Sequence, residues 1–250
     1  MITTGNTILV TGGGSGIGRR LAEAFYELGN VVIVAGRRQQ VLDEVTAANP
    51  GMKSAALDIE DPRGVREFGA MMARDYPALN AVLHSAGVMR PESIASQPDD
   101  LADVESTVAT NLLGPIRLTA ALLPLLRRQS RSAILTVSSG LAFVPRAMAP
   151  TYCATKAAIH SYTLSLRHQL RGTTTEVIEV IPPYVQTHLM GQHQADDPEA
   201  MPLADYLQEV MRILTTQSSA TEVVVERCKP LRFAAKGGGF DATFEALNRS

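Results

Sequence analysis

Tyr152 and Lys156 stand four positions apart, so a helix through them places both side chains on one face. A free phenol has a pKa near ~10 and is a poor proton donor or acceptor at neutral pH. An ammonium beside it favours the phenolate and draws that pKa toward a useful range. Taken alone, a Tyr-x3-Lys pair is common on solvated helix faces. This pair follows Val137-Ser-Ser-Gly140 at the end of a predicted strand, from which Ser139 would hydrogen-bond a carbonyl that Tyr152 protonates. A serine hydrolase is the rival reading. The Gly-x-Ser-x-Gly elbow is absent around Ser138 and Ser139, and none of the five histidines sits in a motif that marks a base for serine.

A second chemical signal lies near the start of the chain. Thr11-Gly-Gly-Gly-Ser-Gly-Ile-Gly18 joins a β-branched run to an amphipathic segment. Glycines in such a turn let a pyrophosphate approach the backbone at a helix N-terminus, whose N–H groups and dipole favour anions. Gly12, Ser15, Gly16, Ile17 and Gly18 are therefore candidate cofactor residues, against the plainer reading of a flexible glycine loop. A phosphate-hydrolysing loop would need Lys and Ser or Thr after Gly18, where Arg19 and Arg20 stand. Arg37 and Arg38 follow the second predicted strand, where NAD sites usually carry a carboxylate for the ribose 2′-hydroxyl. Two guanidinium groups there favour a 2′-phosphate and hence NADP, with NAD as second choice. A solvated basic pair opening a surface helix is the plainer alternative.

These groups need elements to hold them. Strands are predicted at Thr7–Val10, Val31–Ala35, Lys53–Leu57, Leu79–His84, Ala133–Ser138, Glu176–Ile181 and Glu222–Val225. Helices are predicted after Gly18, from Gly36 to about Ala48, and over Pro62–Arg74, Asp100–Arg128 with a kink at Gly114-Pro115, and Tyr152–Arg171. The alternation predicts an α/β fold, a doubly wound parallel sheet of Rossmann type with ligands beyond the carboxyl ends of its strands. No linker or repeat divides residues 1–250, so one domain is expected. The stretch 184–217 is expected to be a substrate-binding lid of loop and short helices.

Composition narrows the function classes. The chain has 250 residues, 23 Lys plus Arg against 25 Asp plus Glu, and 45% hydrophobic residues. So balanced a charge argues against nucleic acid as the main partner. The longest uncharged apolar stretch, Ser132 to Pro145, is too short and too polar to span a membrane. Cys153 and Cys228 form no CxxC, so neither a structural metal site nor a disulfide framework is expected. With no signal-like N-terminus, a cytoplasmic location is the expectation.

Together these motifs resemble the short-chain dehydrogenase/reductase family across nearly the whole chain. The resemblance rests on Thr11–Gly18, Asp58-Ile59, His84-Ser85-Ala86-Gly87, Asn111, Ser139 and the Tyr152/Lys156 pair, in the family's order. The segments Leu141–Phe143 and Tyr152–Ala158 through Arg167–Leu170 most resemble oxidoreductases associated with bacterial D-alanine–lipoteichoic acid operons. The resemblance implies hydride transfer between a nicotinamide cofactor and a carbonyl or secondary alcohol. It further implies Asp58 and Ile59 at the adenine and Ser85, Ala86 and Gly87 along the cofactor. Pro182, Val185 and Thr187 would lie near the nicotinamide, with Thr187 at its carboxamide. Asn111 would position a water between Lys156 and solvent, and Lys156 would hold the ribose. Three departures stand out. His84-Ser85 replaces two asparagines, which is expected to loosen the bracing of the fourth strand. Pro182-Pro183 replaces Pro-Gly. The usual C-terminal strand closed by Gly-Gly is missing, with Gly237–Gly239 in a later loop.

Apolar residues flanking the site (Leu141, Phe143, Met148, Pro150) and in the lid (Tyr184, Leu189, Met190, Met201, Leu203, Tyr206, Leu207, Met211) point to an uncharged, hydrophobic small-molecule substrate. Arg146, one cation without a second, makes no anion clamp. Leu118, Leu122, Leu123, Leu125 and Leu126 exceed one helical face, so a homodimer or homotetramer through the two long helices is expected. The alternative from another class is a dinucleotide-binding regulator or scaffold that keeps the fold without turnover.

Overall fold

The computed structural model describes residues 1–96 and 100–249. The chain alternates β1 (Thr7–Thr11), α1 (Gly16–Glu27), β2 (Val31–Gly36), α2 (Gln39–Ala48), β3 (Lys53–Ala56), α3 (Pro62–Asp75) and β4 (Ala81–His84). It continues with α4 (Ala102–Val108), a π-helical turn (Ala109–Leu113), α5 (Gly114–Leu126), β5 (Ser132–Val137), α6 (Pro150–Gln169) and β6 (Thr175–Ile181). After these come α7 (Gln192–Ala195), α8 (Leu203–Thr216), β7 (Glu222–Val224), α9 (Lys229–Arg232) and α10 (Phe240–Leu247).

The strands form one parallel sheet in the order β3-β2-β1-β4-β5-β6-β7. Ile8, Leu9 and Val10 of β1 and Val32, Ile33 and Val34 of β2 are all fully buried, because helices cover both faces. On one face Leu21 and Phe25 of α1 pack with Tyr206 and Val210 of α8. On the other, Phe68 and Met72 of α3 pack with Leu118 and Leu122 of α5 and Leu166 of α6. The strand order reverses between β1 and β4. A cleft opens at such a point beyond the carboxyl ends.

Three expectations change. First, the leucines of α5 do not reach outward: Leu118, Leu122, Leu125 and Leu126 lie in the core and Leu123 packs against it. Helix 102–126 is long and apolar enough to cross a membrane by length and composition, yet these side chains are spent inside the protein. Leu113 and Leu164 are the large apolar side chains left exposed on the two long helices. Second, the helices expected within 184–217 are not all short. The second half of that stretch is α8, fourteen residues long, with Tyr206, Val210, Ile213 and Leu214 on one stripe buried against α1. The charged and amide residues between those positions mask the helical period in the sequence. Met201 is likewise buried in the core, and Leu203, Leu207 and Met211 pack against it rather than on the cleft. Third, the kink expected at Gly114-Pro115 is the π turn just before it. Pro115 has no N–H for the Asn111 carbonyl four residues back, so an unbroken α ladder cannot pass this point.

At the opposite end of the sheet three buried asparagines tie β1, β2 and β4 together. Asn80 donates to Asn6 Oδ1 at 3.0 Å and accepts from the Thr7 N–H at 2.9 Å. Asn30 accepts from the Asn6 N–H at 2.9 Å and from its side-chain amide at 3.2 Å. Asn80→Leu keeps the shape and strands a buried N–H and a buried carbonyl. A loss of about 1–3 kcal/mol is expected. Urea unfolding checks it, and an unchanged midpoint contradicts it.

Candidate active site

The cleft is built first by close backbone approach. Gly12 adopts φ +67° and donates its N–H to the Ala35 carbonyl at 2.8 Å, turning the chain sharply out of β1. A Cβ at Gly12 would lie 2.8 Å from Ala86, and one at Gly18 would lie 2.5 Å from the Gly12 carbonyl. Neither position tolerates a side chain. Ser15, in extended backbone, begins α1, and the first N–H groups of that helix, at Gly16, Ile17 and Gly18, lack helical partners. No acidic residue stands in that first turn to compete with an anion.

Two adjoining cavities share this turn. One of about 380 Å³ runs past Arg37, Arg38, Leu57, Ile59, Ala86, Gly87 and Thr110. The other, about 660 Å³, runs from Ile17, Gly18 and Ser85 past Ser139, Tyr152 and Lys156 to Pro182, Val185 and Thr187. An elongated cleft with a backbone anion cradle at its middle fits a dinucleotide.

Most of the expected site residues thus line one cleft, and two stand back from it. Asp58 is exposed at the rim, where its carboxylate accepts from the Glu60 N–H at 3.0 Å, while its neighbours Leu57 and Ile59 form the wall. Asn111 is buried behind Val88: it accepts from the Val88 N–H at 2.9 Å and donates to the Val88 carbonyl at 2.8 Å and to Thr155 Oγ1 at 3.2 Å. The two arginines also differ. Arg37 pairs with Glu60 at 3.2 Å, and that same oxygen accepts from Thr110 at 2.6 Å. Arg38 lines both cavities and has no ion pair among the described residues. Glu60 left no motif in the sequence, because its partners lie 23 and 50 residues away.

The His84-Ser85 departure does not loosen β4. Thr11 Oγ1 accepts from the Ser85 N–H at 3.2 Å and the Ala86 N–H at 3.3 Å, doing the bracing from β1. His84 Nε2 meets Thr119 Oγ1 at 2.9 Å, and burial pushes the imidazole down to about 4, so it stays neutral.

At the other end of the cleft, Asn111, Ser139, Tyr152 and Lys156 are each less than a tenth exposed. Lys156 Nζ donates to the Val137 carbonyl, the last of β5, at 2.8 Å and lies 5.6 Å from the centre of the Tyr152 ring. Ser139 Oγ accepts from the Leu141 N–H at 3.1 Å, which leaves its own proton free to donate. Burial raises the Tyr152 pKa above the ordinary phenol value, with the Ser139 hydroxyl offsetting part of the rise. This differs from the direction expected from the sequence, because desolvation of the phenolate is the largest cause and the Ser139 hydroxyl offsets only part of it. Burial pushes Lys156 down to about 8, with the Glu179 carboxylate opposing it. Around Tyr152 and Cys153 sits a small apolar group: Met89, Ala149, Leu141, Met148 and Met190. Arrayed this way, the site offers a phenol that keeps its proton at neutral pH, a free hydroxyl beside it and a buried ammonium.

The chain matches the sequence profile described as short chain dehydrogenase over residues 6–198. It is 36% identical to the uncharacterized oxidoreductase DltE of Bacillus subtilis strain 168 over 252 aligned positions, covering 99% of this chain and 98% of that protein. Among solved structures, it is similar to a short-chain dehydrogenase from Streptomyces avermitilis, with TM-score 0.82, 23% identity and 96% of both chains covered. It is also similar to a short chain dehydrogenase from Burkholderia cenocepacia J2315 in complex with NADP, with TM-score 0.82, 22% identity and coverage of 98% and 99%.

Keeping an ammonium charged at this buried position works against folding. A shift from 10.5 to about 8 is worth up to about 3 kcal/mol, less what the Val137 bond returns. Lys156→Met is expected to raise stability by about 1–2 kcal/mol at pH 7. The folded-state pKa is the lower one, so the parent recovers stability as pH rises from about 8 and the gap closes by about pH 10. Chemical denaturation at pH 7 and 9.5 checks this, and a gap independent of pH contradicts it.

Proposed function

The chain belongs to the short-chain dehydrogenase family and is an NAD(P)-dependent oxidoreductase, and we propose that it prefers NADP and acts on an uncharged, largely apolar carbonyl or secondary alcohol. The observation that carries the catalytic reading is the convergence of Ser139, Tyr152 and Lys156, all buried, on the cavity that begins at the glycine turn. A bound nicotinamide supplies or accepts the hydride.

In the reducing direction Tyr152 gives its proton to the carbonyl oxygen. Burial holds the phenol in its protonated form, and the charge left on it as the proton departs is stabilised by the Lys156 ammonium beside it. The free Ser139 proton hydrogen-bonds the same oxygen and stabilises its developing charge. Lys156, anchored by the Val137 carbonyl, presents its remaining N–H donors to the ribose and to water that re-protonates Tyr152. The Asn111 side-chain amide is committed to Val88 and Thr155, so its part in the relay falls to the main-chain carbonyl that Pro115 leaves outside the α ladder. Asp58 would act at the rim, while Leu57 and Ile59 flank the adenine.

Arg38 supports the NADP preference more strongly than Arg37, whose guanidinium already serves Glu60. Met89, Leu141, Met148 and Met190 about Tyr152 support an apolar substrate, methionine adapting its shape to irregular ligands. The lid is the part of 184–217 that precedes α8, since Val185, Thr187, His188, Leu189 and Gln194 line the cavity. Leu113 and Leu164, exposed on the two long helices, support a homo-oligomer. Two unpaired cysteines suit a reducing cytoplasm.

The experiment is a panel of aromatic and long-chain ketones against charged keto acids, followed by NADPH and NADH oxidation. Higher kcat/KM for the apolar series is expected, and consistently higher values for the keto acids overturn the substrate reading. Tyr152→Phe is expected to keep cofactor binding and lose about 10²–10⁴-fold in kcat. Unchanged turnover contradicts Tyr152 as the acid. Arg38→Ala is expected to weaken NADPH binding about tenfold or more and NADH binding little. Fluorescence titration reads both, and equal losses for the two cofactors contradict the 2′-phosphate contact. A protein that binds the cofactor and turns over nothing on the panel would favour the regulator or scaffold.

A further inference from the structure

We infer that Gln194 is a positioning residue that occupies a lone pair of Thr187 and so biases that hydroxyl toward donating into the nicotinamide end of the cleft. The inference rests on the dehydrogenase reading above, in which Thr187 faces the carboxamide.

Gln194 lies in α7, a four-residue helix whose Gln192 and His193 are exposed, yet it is itself only 4% exposed. A buried amide must find partners, and this one finds three in the loop that roofs the cavity. Its Nε2 donates to the Val185 carbonyl at 2.8 Å and to Thr187 Oγ1 at 3.1 Å, while its Oε1 accepts from the Met190 N–H at 3.1 Å. The orientation of the amide is not free. The Val185 carbonyl can only accept and the Met190 N–H can only donate, so nitrogen and oxygen cannot exchange places.

That orientation dictates what Thr187 can do. A threonine hydroxyl has one proton and two lone pairs. One lone pair is taken by Gln194, and the Leu189 N–H approaches the oxygen at 3.5 Å. The proton has no partner among the described residues. Thr187 lines the 660 Å³ cavity, opposite Gly16, where a Cβ would lie 3.7 Å from its side chain. A carboxamide offers an oxygen that accepts and an NH₂ that donates. A hydroxyl biased toward donating favours the oxygen over the NH₂, which favours one orientation of the carboxamide and with it one ring position relative to Tyr152.

The test compares binding of NADP with thio-NADP, whose sulfur replaces the carboxamide oxygen and accepts hydrogen bonds weakly. Equilibrium titration reads binding without turnover. The parent is expected to bind thio-NADP about fivefold or more weaker than NADP, the worth of one hydrogen bond. In Thr187→Val and in Gln194→Leu the ratio is expected to fall toward one. Gln194→Glu, of the same shape, draws the Thr187 proton onto its carboxylate and is expected to lower the ratio in the same way, should the leucine variant not fold. A purely structural role would weaken both cofactors in proportion and leave the ratio at the parent's value. That result in the folded Gln194 variants, with Thr187→Val lowering the ratio, overturns the inference and spares the dehydrogenase reading. A parent that binds neither cofactor overturns both.

Discussion

The site depends on one hydrogen bond that ties a helix to the end of a strand. Lys156 of α6 gives its ammonium to the Val137 carbonyl, the last residue of β5. That single contact sets the height of Tyr152 above the sheet and the start of the loop that carries Ser139. The surrounding contacts are of the same kind. Thr136 meets Thr163 at 2.8 Å, Thr155 receives the Asn111 amide, and His160 meets the buried Glu179 at 2.8 Å. Of the seven buried residues of α6, four are Tyr, Lys or Thr. An apolar stripe can slide on a sheet at modest cost, whereas polar contacts break outright if the helix shifts. The helix is therefore held to one register, as a site that must place a phenol to within a fraction of an ångström requires.

The glycine turn shows a different constraint: space. Gly12 and Gly18 are needed because backbone from β4 and from the turn itself occupies the volume a side chain would fill. Around β4 the chain carries His84 and Ser85, held by Thr119 and Thr11, while His84 Nδ1 is buried without a partner among the described residues.

Much of this was legible in the sequence because local rules wrote it. The strand, glycine turn and helix at residues 7–27 follow from β-branched residues, glycines and an amphipathic period in immediate succession. Tyr152 and Lys156 stand out once their spacing is read together with the serines that end the preceding strand. What escaped the sequence depends on pairing across long separations. Glu60 reaches Arg37, and Gln194 reaches back to Val185 and Thr187 through an amide that no pattern marks. The direction of the Tyr152 pKa shift escaped too, since burial is a property of the folded site rather than of two residues four apart. The length of helix α8 escaped for a third reason. Its apolar stripe is diluted by polar residues that face water, and its length shows only once α1 is there to cover Tyr206.

The three buried asparagines at the far end of the sheet bear on how the chain finds this arrangement. β1 must pair with β2, close by in sequence, and with β4, some seventy residues away, and an apolar strand has little to distinguish one alignment from the next. Sliding β4 by a single residue would exchange the side chains on its two helix-covered faces and break the bonds that Asn80 makes to Asn6 and to the Thr7 N–H. The asparagines thus act as a proofreading device for strand alignment. They penalise a misaligned sheet at the end opposite the cleft, where sequence can be spent on accurate folding without constraining the site.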